Sequence, residues 1–213
     1  MKITIIGATG QIGQRVLREA LSRNHQVRAV GRNAKTLAKL PAEVETLIGD
    51  AGNAMEVAAL CRGQDLVVNA TRPDPGRETA IGATTEALMN GVAQSGARLL
   101  VVGGAASLVV PGTDGKNVIE DPRYLPASAR TVAAASLIQY QLFLRDGKPG
   151  WTYLSPPAEL LMGERTGRFR LGGDELIVDR HGRARISVED LAVALLDEAE
   201  HPNYSGRRFT AAY

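Results

Sequence analysis

A chain of 213 residues with 44% hydrophobic content can bury one substantial core, and an α/β sheet of this size is expected to form a single domain over residues 1–213. Its 25 basic and 23 acidic residues leave a formal charge of +2, too weak a field to point to nucleic acid or an anionic membrane as partner. The one cysteine, Cys61, rules out an intrachain disulfide and suits a reducing cytoplasm, and no ligand spacing suggests a metal.

Lys2 to Ile6 reads as a strand buried on both faces, with Gly7 directly after it. No apolar leader fits before that strand, so no signal peptide is expected. Gly7-Ala8-Thr9-Gly10-Gln11-Ile12-Gly13 then passes into a helix whose stripe is Ile12, Val16, Leu17, Ala20 and Leu21. Three glycines between a strand and a helix serve a tight turn, backbone approach to a pyrophosphate, and helix-strand contact. The free amides opening that helix complete a dinucleotide-binding turn.

Gln26 to Val30 predicts the second strand, followed by Gly31-Arg32-Asn33. An NAD-selective site places an acid there for the ribose 2′-hydroxyl. Arginine cannot accept that hydrogen bond, whereas its fork pairs with a 2′-phosphate, and Lys35 adds a second charge. NADP(H) is therefore the expected cofactor, with Arg32, Asn33 and Lys35 at the ribose. Val44 to Ile48 and Asp65 to Asn69 predict the next two strands. Asp50 and Ala51 beyond one, and Asn69, Ala70 and Thr71 at the end of the other, face the same crevice. Asp50 and Thr71 serve equally well as turn residues.

Helices are expected over residues 77–95 and 128–145, ending at Gly96 and Gly147. Between them lie a strand over 98–102 and a long irregular stretch over 103–127, of which Ala105 to Ala127, with Asn117, Arg123 and Tyr124, is the natural roof of an acceptor pocket. Trp151 to Leu154 predicts a sixth strand. Residues 168–171 and 175–179 around Gly172-Gly173-Asp174 read as a hairpin, with Arg165, Arg168 and Arg170 on a solvated face. Ser187-Val188-Glu189-Asp190 opens another helix, and Arg207 to Ala211 a last strand. The expected class is a Rossmann-like, doubly wound parallel sheet with a small C-terminal hairpin-helix-strand extension.

The Gly7–Gly13 turn, Arg32, the stretch Val101 to Leu108 and Trp151-Thr152-Tyr153-Leu154-Ser155-Pro156-Pro157 together resemble atypical short-chain dehydrogenase/reductases of the NAD(P)H-binding, NmrA-like and flavin-reductase-like group. The resemblance extends through Gly163 to Gly167, Leu171 to Asp174 and Arg185 to Ala192. It implies that Gly103, Gly104 and Ser107 line the nicotinamide and that Ser155, Pro156 and Pro157 contact its amide. Ser107 either donates to a substrate carbonyl, as the candidate catalytic residue, or caps a turn.

The departure from the group is Tyr140-Gln141-Leu142-Phe143-Leu144, without the lysine of the Tyr-x-x-x-Lys pair. An unassisted tyrosine is a poor base at neutral pH, so Tyr140 reads as a helix residue that packs inward. Reduction of a small acceptor such as a flavin or quinone remains open, because the cofactor itself carries the reactive electrons. The alternative is a non-catalytic NADP(H) sensor, which implies a protein partner.

Overall fold

Strands rich in Val and Ile, apolar on both faces, are stable only where helices cover both sides, and the chain supplies those helices as crossovers. The computed structural model describes residues 1–146 and 150–213, apart from the Asp146 side chain; Gly147 lies outside them. Strands β1 (Lys2–Ile6), β2 (Gln26–Gly31), β3 (Glu45–Ile48), β4 (Leu66–Asn69), β5 (Arg98–Val102) and β6 (Trp151–Ser155) alternate with α1 (Gln11–Ser22), α2 (Ala34–Leu37), α3 (Ala54–Cys61), α4 (Ile81–Ser95) and α5 (Arg130–Asp146). Strands β7 (Glu159–Leu161), β8 (Arg170–Gly172) and β9 (Arg185–Ser187), helix α6 (Val188–Glu200) and β10 (Arg207–Ala212) complete it.

The main sheet runs β3-β2-β1-β4-β5-β6-β10-β8. Its pairings are parallel except that of β8 with β10. This is the doubly wound sheet expected, and its order reverses between β1 and β4. On one face Ile3, Ile5, Val16, Leu17, Leu191 and Leu195 form a core beneath α1 and α6. On the other, Val57, Leu88, Val92, Phe143 and Tyr153 form a second core under α3, α4 and α5. Fully burying a side chain of this size contributes about 1.5–3 kcal/mol, so the two faces hold the strand ends in register for the crevice above them.

The expected hairpin after β6 does not form. Leu171 of β8 pairs with Ala211 of β10, while Glu175 bridges to Val109 in the segment after β5. The open edge of β10 offers Leu171 a longer ladder, and Leu176 is drawn beneath Leu108, Val110 and Val118. The 103–127 stretch is thus ordered on a small core of its own. Asn117 and Glu120 form a capping box there, Tyr124 donates to the Gly182 carbonyl at 3.0 Å, and Arg123 pairs with Asp121. The arginines after β7 stay exposed, as expected, and two of them are anchored: Arg165 donates to the buried Glu19 at 2.8 Å and Arg170 binds the Val178 and Tyr213 carbonyls.

Helix α6 starts as its sequence dictates, with Ser187 Oγ accepting from the Asp190 amide at 3.0 Å. Asp190 itself is fully buried and gathers the Thr166 and Gly167 amides and the Tyr213 hydroxyl, each at 2.8 Å. Among the described residues no helix is long and apolar enough to cross a membrane.

Candidate functional site

The reversal of strand order leaves a crevice beyond the carboxyl ends of β1 to β4, where such sheets bind ligands. A cleft of ≈ 450 Å³ lies there, lined by Gly7, Thr9, Gly10, Arg32, Asp50, Ala51, Ala70 and Thr71 among others. Its floor is the β1–α1 turn. Gly7 holds φ +85°, the left-handed region, and a Cβ there would come within 2.9 Å of the Ala70 carbonyl. A Cβ on Gly13 would sit 2.1 Å from the Gly7 carbonyl, so α1 can approach the turn only as glycine. Gly10, which opens α1, makes no side-chain cap. The amides of Gln11, Ile12 and Gly13 therefore present partial positive charge at the turn. A glycine cradle that a Cβ would fill, set under free amides, fits a dinucleotide pyrophosphate.

Directly after β2, Arg32 lies on the rim with a side chain 62% exposed, and its two terminal nitrogens each donate to Asp74 at 2.8 Å. Arg72 and Arg77 line the same rim. The other residues expected nearby divide by how their polar atoms are engaged. Asn33 caps α2, accepting from the Lys35 amide at 2.9 Å, and Lys35 is exposed on that helix. Asp50 accepts from the Gly52 amide at 2.9 Å while facing the cleft. Asn69 is buried and accepts from the Thr71 hydroxyl at 2.8 Å; it supports Thr71, which lines the cleft.

Gly103, Gly104 and Ser107, past β5, and Ser155, Pro156 and Pro157, at and past the end of β6, sit farther along the same sheet edge, outside the lining of this cleft. A Cβ on Gly103 would lie 1.9 Å from the Tyr153 ring, so the end of β5 rests directly on that tyrosine. Tyr153 donates towards Gln139 Oε1 at 3.2 Å and accepts from the Gly104 amide at 3.4 Å. Burial pushes its phenol well up. Burial likewise raises Tyr140, partly offset by the Arg208 charge above its ring. Neither phenol is then a base at neutral pH. Tyr140 is buried against Tyr153, at 5.0 Å between ring centroids.

Arg208 is the residue that sequence reasoning missed. It projects from β10 with a side chain 4% exposed, donates to Ser107 Oγ at 2.6 Å and to Asp174 at 2.9 Å, and lies 4.4 Å over the Tyr140 ring. Guanidinium only donates, so it fills a lone pair of Ser107 and leaves the serine hydrogen to point elsewhere. The hydroxyls of Ser155 and Thr210, neighbours in the β6–β10 register, are buried without a partner. The available signal was the alternation in the closing strand, where Arg207 and Arg208 point to opposite faces and one of them must therefore turn inward beside Phe209.

These features match known proteins. The profile of the NAD(P)H-binding family matches residues 7–202. The uncharacterized protein YwnB of Bacillus subtilis is 36% identical over 216 residues, covering 99% of this chain and 97% of that protein. A Burkholderia pseudomallei protein provisionally named as exported is 37% identical, with TM-score 0.89 and all of both chains covered. A Streptococcus pneumoniae protein provisionally named an NADH-flavin reductase is 26% identical, with TM-score 0.87, covering 100% of this chain and 99% of that one. With its glycine cradle, doubly wound sheet and full-length match, the chain belongs to the NAD(P)H-binding family.

Proposed function

We propose that this protein is a cytoplasmic NADPH-dependent reductase that delivers hydride to a small flavin- or quinone-like acceptor. The observation that carries the reading is Arg32, a donor-only fork on the ribose rim of the cleft, where an NAD-selective site uses a carboxylate. The resemblance of the whole chain to a protein named for flavin reduction supports the acceptor class.

When bound, the dinucleotide supplies the hydride. The Gly7–Gly13 turn and the first amides of α1 hold the pyrophosphate, and Arg32 with Lys35 holds the 2′-phosphate. Gly103 and Gly104, with the Ser155–Pro157 turn, back the nicotinamide end. Ser107 serves the acceptor: Arg208 occupies one lone pair and cannot accept, so the hydroxyl keeps its hydrogen to donate, and it passes to the reduced acceptor and is replaced from water. The acceptor would thereby gain one hydride and one proton, two electrons in all, which balances the two-electron chemistry the dinucleotide supplies.

The test is consumption of NADPH by the purified protein, first with FMN and then with a small benzoquinone. Acceptor-dependent oxidation is expected, and Ser107→Ala should lower kcat by about 10²-fold. Tight NADPH binding with no turnover on either acceptor would overturn the reductase reading and leave a dinucleotide sensor.

A further inference from the structure

The Arg32 fork already has an occupant. Asp74, in the segment between β4 and α4, takes both terminal nitrogens of Arg32 in two parallel hydrogen bonds of 2.8 Å. This is the bidentate geometry by which arginine grips a phosphate. Both residues line the dinucleotide cleft, and both side chains are substantially exposed, 62% for Arg32 and 45% for Asp74. An exposed pair of this kind is held weakly and is readily exchanged.

We propose that Asp74 limits the preference of this site for NADP(H) over NAD(H) by standing in the place on Arg32 that a 2′-phosphate takes. The inference rests on the reading of Arg32 as the 2′-phosphate ligand. A 2′-phosphate must displace the carboxylate and then tolerate it nearby. Two like charges about 4 Å apart in water weaken one another's binding by about fivefold, and more for a doubly charged phosphate. A ribose 2′-hydroxyl carries no such charge, so NAD(H) does not meet this repulsion.

Other charges on the rim do not cancel the effect. Arg72 and Arg77 attract either dinucleotide through its pyrophosphate as well as the 2′-phosphate, and Asp50 belongs to the same wall. The Arg32 hydrogen bonds hold the Asp74 carboxyl below its usual range, so it is ionised at neutral pH. Its backbone role is separate: the Asp74 carbonyl accepts from the Arg77 amide at 2.9 Å, a turn that survives loss of the carboxylate.

The experiment is a set of equilibrium titrations with NADPH and with NADH on the wild-type chain, Asp74→Asn, Arg32→Gln and the double variant. Asp74→Asn should tighten NADPH about five- to thirtyfold and change NADH less than about twofold. In the Arg32→Gln background the same change should gain less, because no fork remains to be freed. Equal shifts for the two cofactors, or none for NADPH, would overturn the role of Asp74 while leaving Arg32 intact. An unchanged NADPH-to-NADH ratio in Arg32→Gln alone would instead remove the phosphate reading of Arg32, and the inference with it.

Discussion

Gly13 is the sharpest steric constraint in the dinucleotide turn. A methyl group there lands 2.1 Å from the Gly7 carbonyl, against backbone that cannot rotate aside. Gly13→Ala should therefore lift α1 off the turn, destabilise the chain by about 1–3 kcal/mol as overpacking does, and weaken NADPH binding by at least about tenfold; thermal unfolding and a titration check the two effects. Tyr140 makes the opposite prediction. Its ring packs between Arg208 and Tyr153 and its phenol is raised by burial, so Tyr140→Phe should leave kcat within about twofold, whereas a loss of about 10² or more would restore it as a proton donor. At this scale the position of the glycines and of Arg32 on the cleft was legible because it is set locally, by one turn and one strand end. Arg208 was not, because Ser107, 101 residues away, reaches it only through the order of strands.

At the scale of elements, buried parallel strands announce themselves as apolar runs, and β1 to β6 were all legible within a residue or so at their ends. The β8 region shows the limit of that reading. Gly172-Gly173-Asp174 is a strong local turn signal, yet residues 175–179 leave to cover Leu108 and Val110 while β8 joins β10. Local turn chemistry cannot report a distant edge that pairs better. Helix α6 carries the pH dependence of this region. Burial alone would raise Asp190, but the hydrogen bonds from Thr166, Gly167 and Tyr213 outweigh it and hold the carboxyl below its usual range. The folded state therefore favours the ionised form: the stabilisation is complete above the unfolded pKa of about 3.9 and is lost as pH falls through the lower folded value. Asp190→Asn should cost about 2 kcal/mol or more at pH 7, through unpaired buried donors. The difference in melting temperature from wild type should narrow below pH 4; a difference independent of pH would contradict the ionised Asp190 hub.

Across the whole molecule, the reversal of strand order between β1 and β4 opens the cleft, and the sequence places a glycine cradle on its floor and an arginine on its rim. The alternation of strands and helices made that crevice legible. The surroundings of Ser107 were not legible, since Arg208 of β10 and Asp174 after β8 meet it only through tertiary placement. The glycine turn is thus encoded by a short-range motif, and the Ser107–Arg208–Asp174 cluster by the order of strands. The most direct test is a side-by-side equilibrium titration of the unaltered protein with NADPH and NADH, followed by nicotinamide fluorescence. NADPH should bind at least about tenfold tighter, the margin expected of one bidentate arginine-phosphate contact in a partly exposed site; equal affinities, or tighter binding of NADH, would contradict the assignment of Arg32 and of the cofactor.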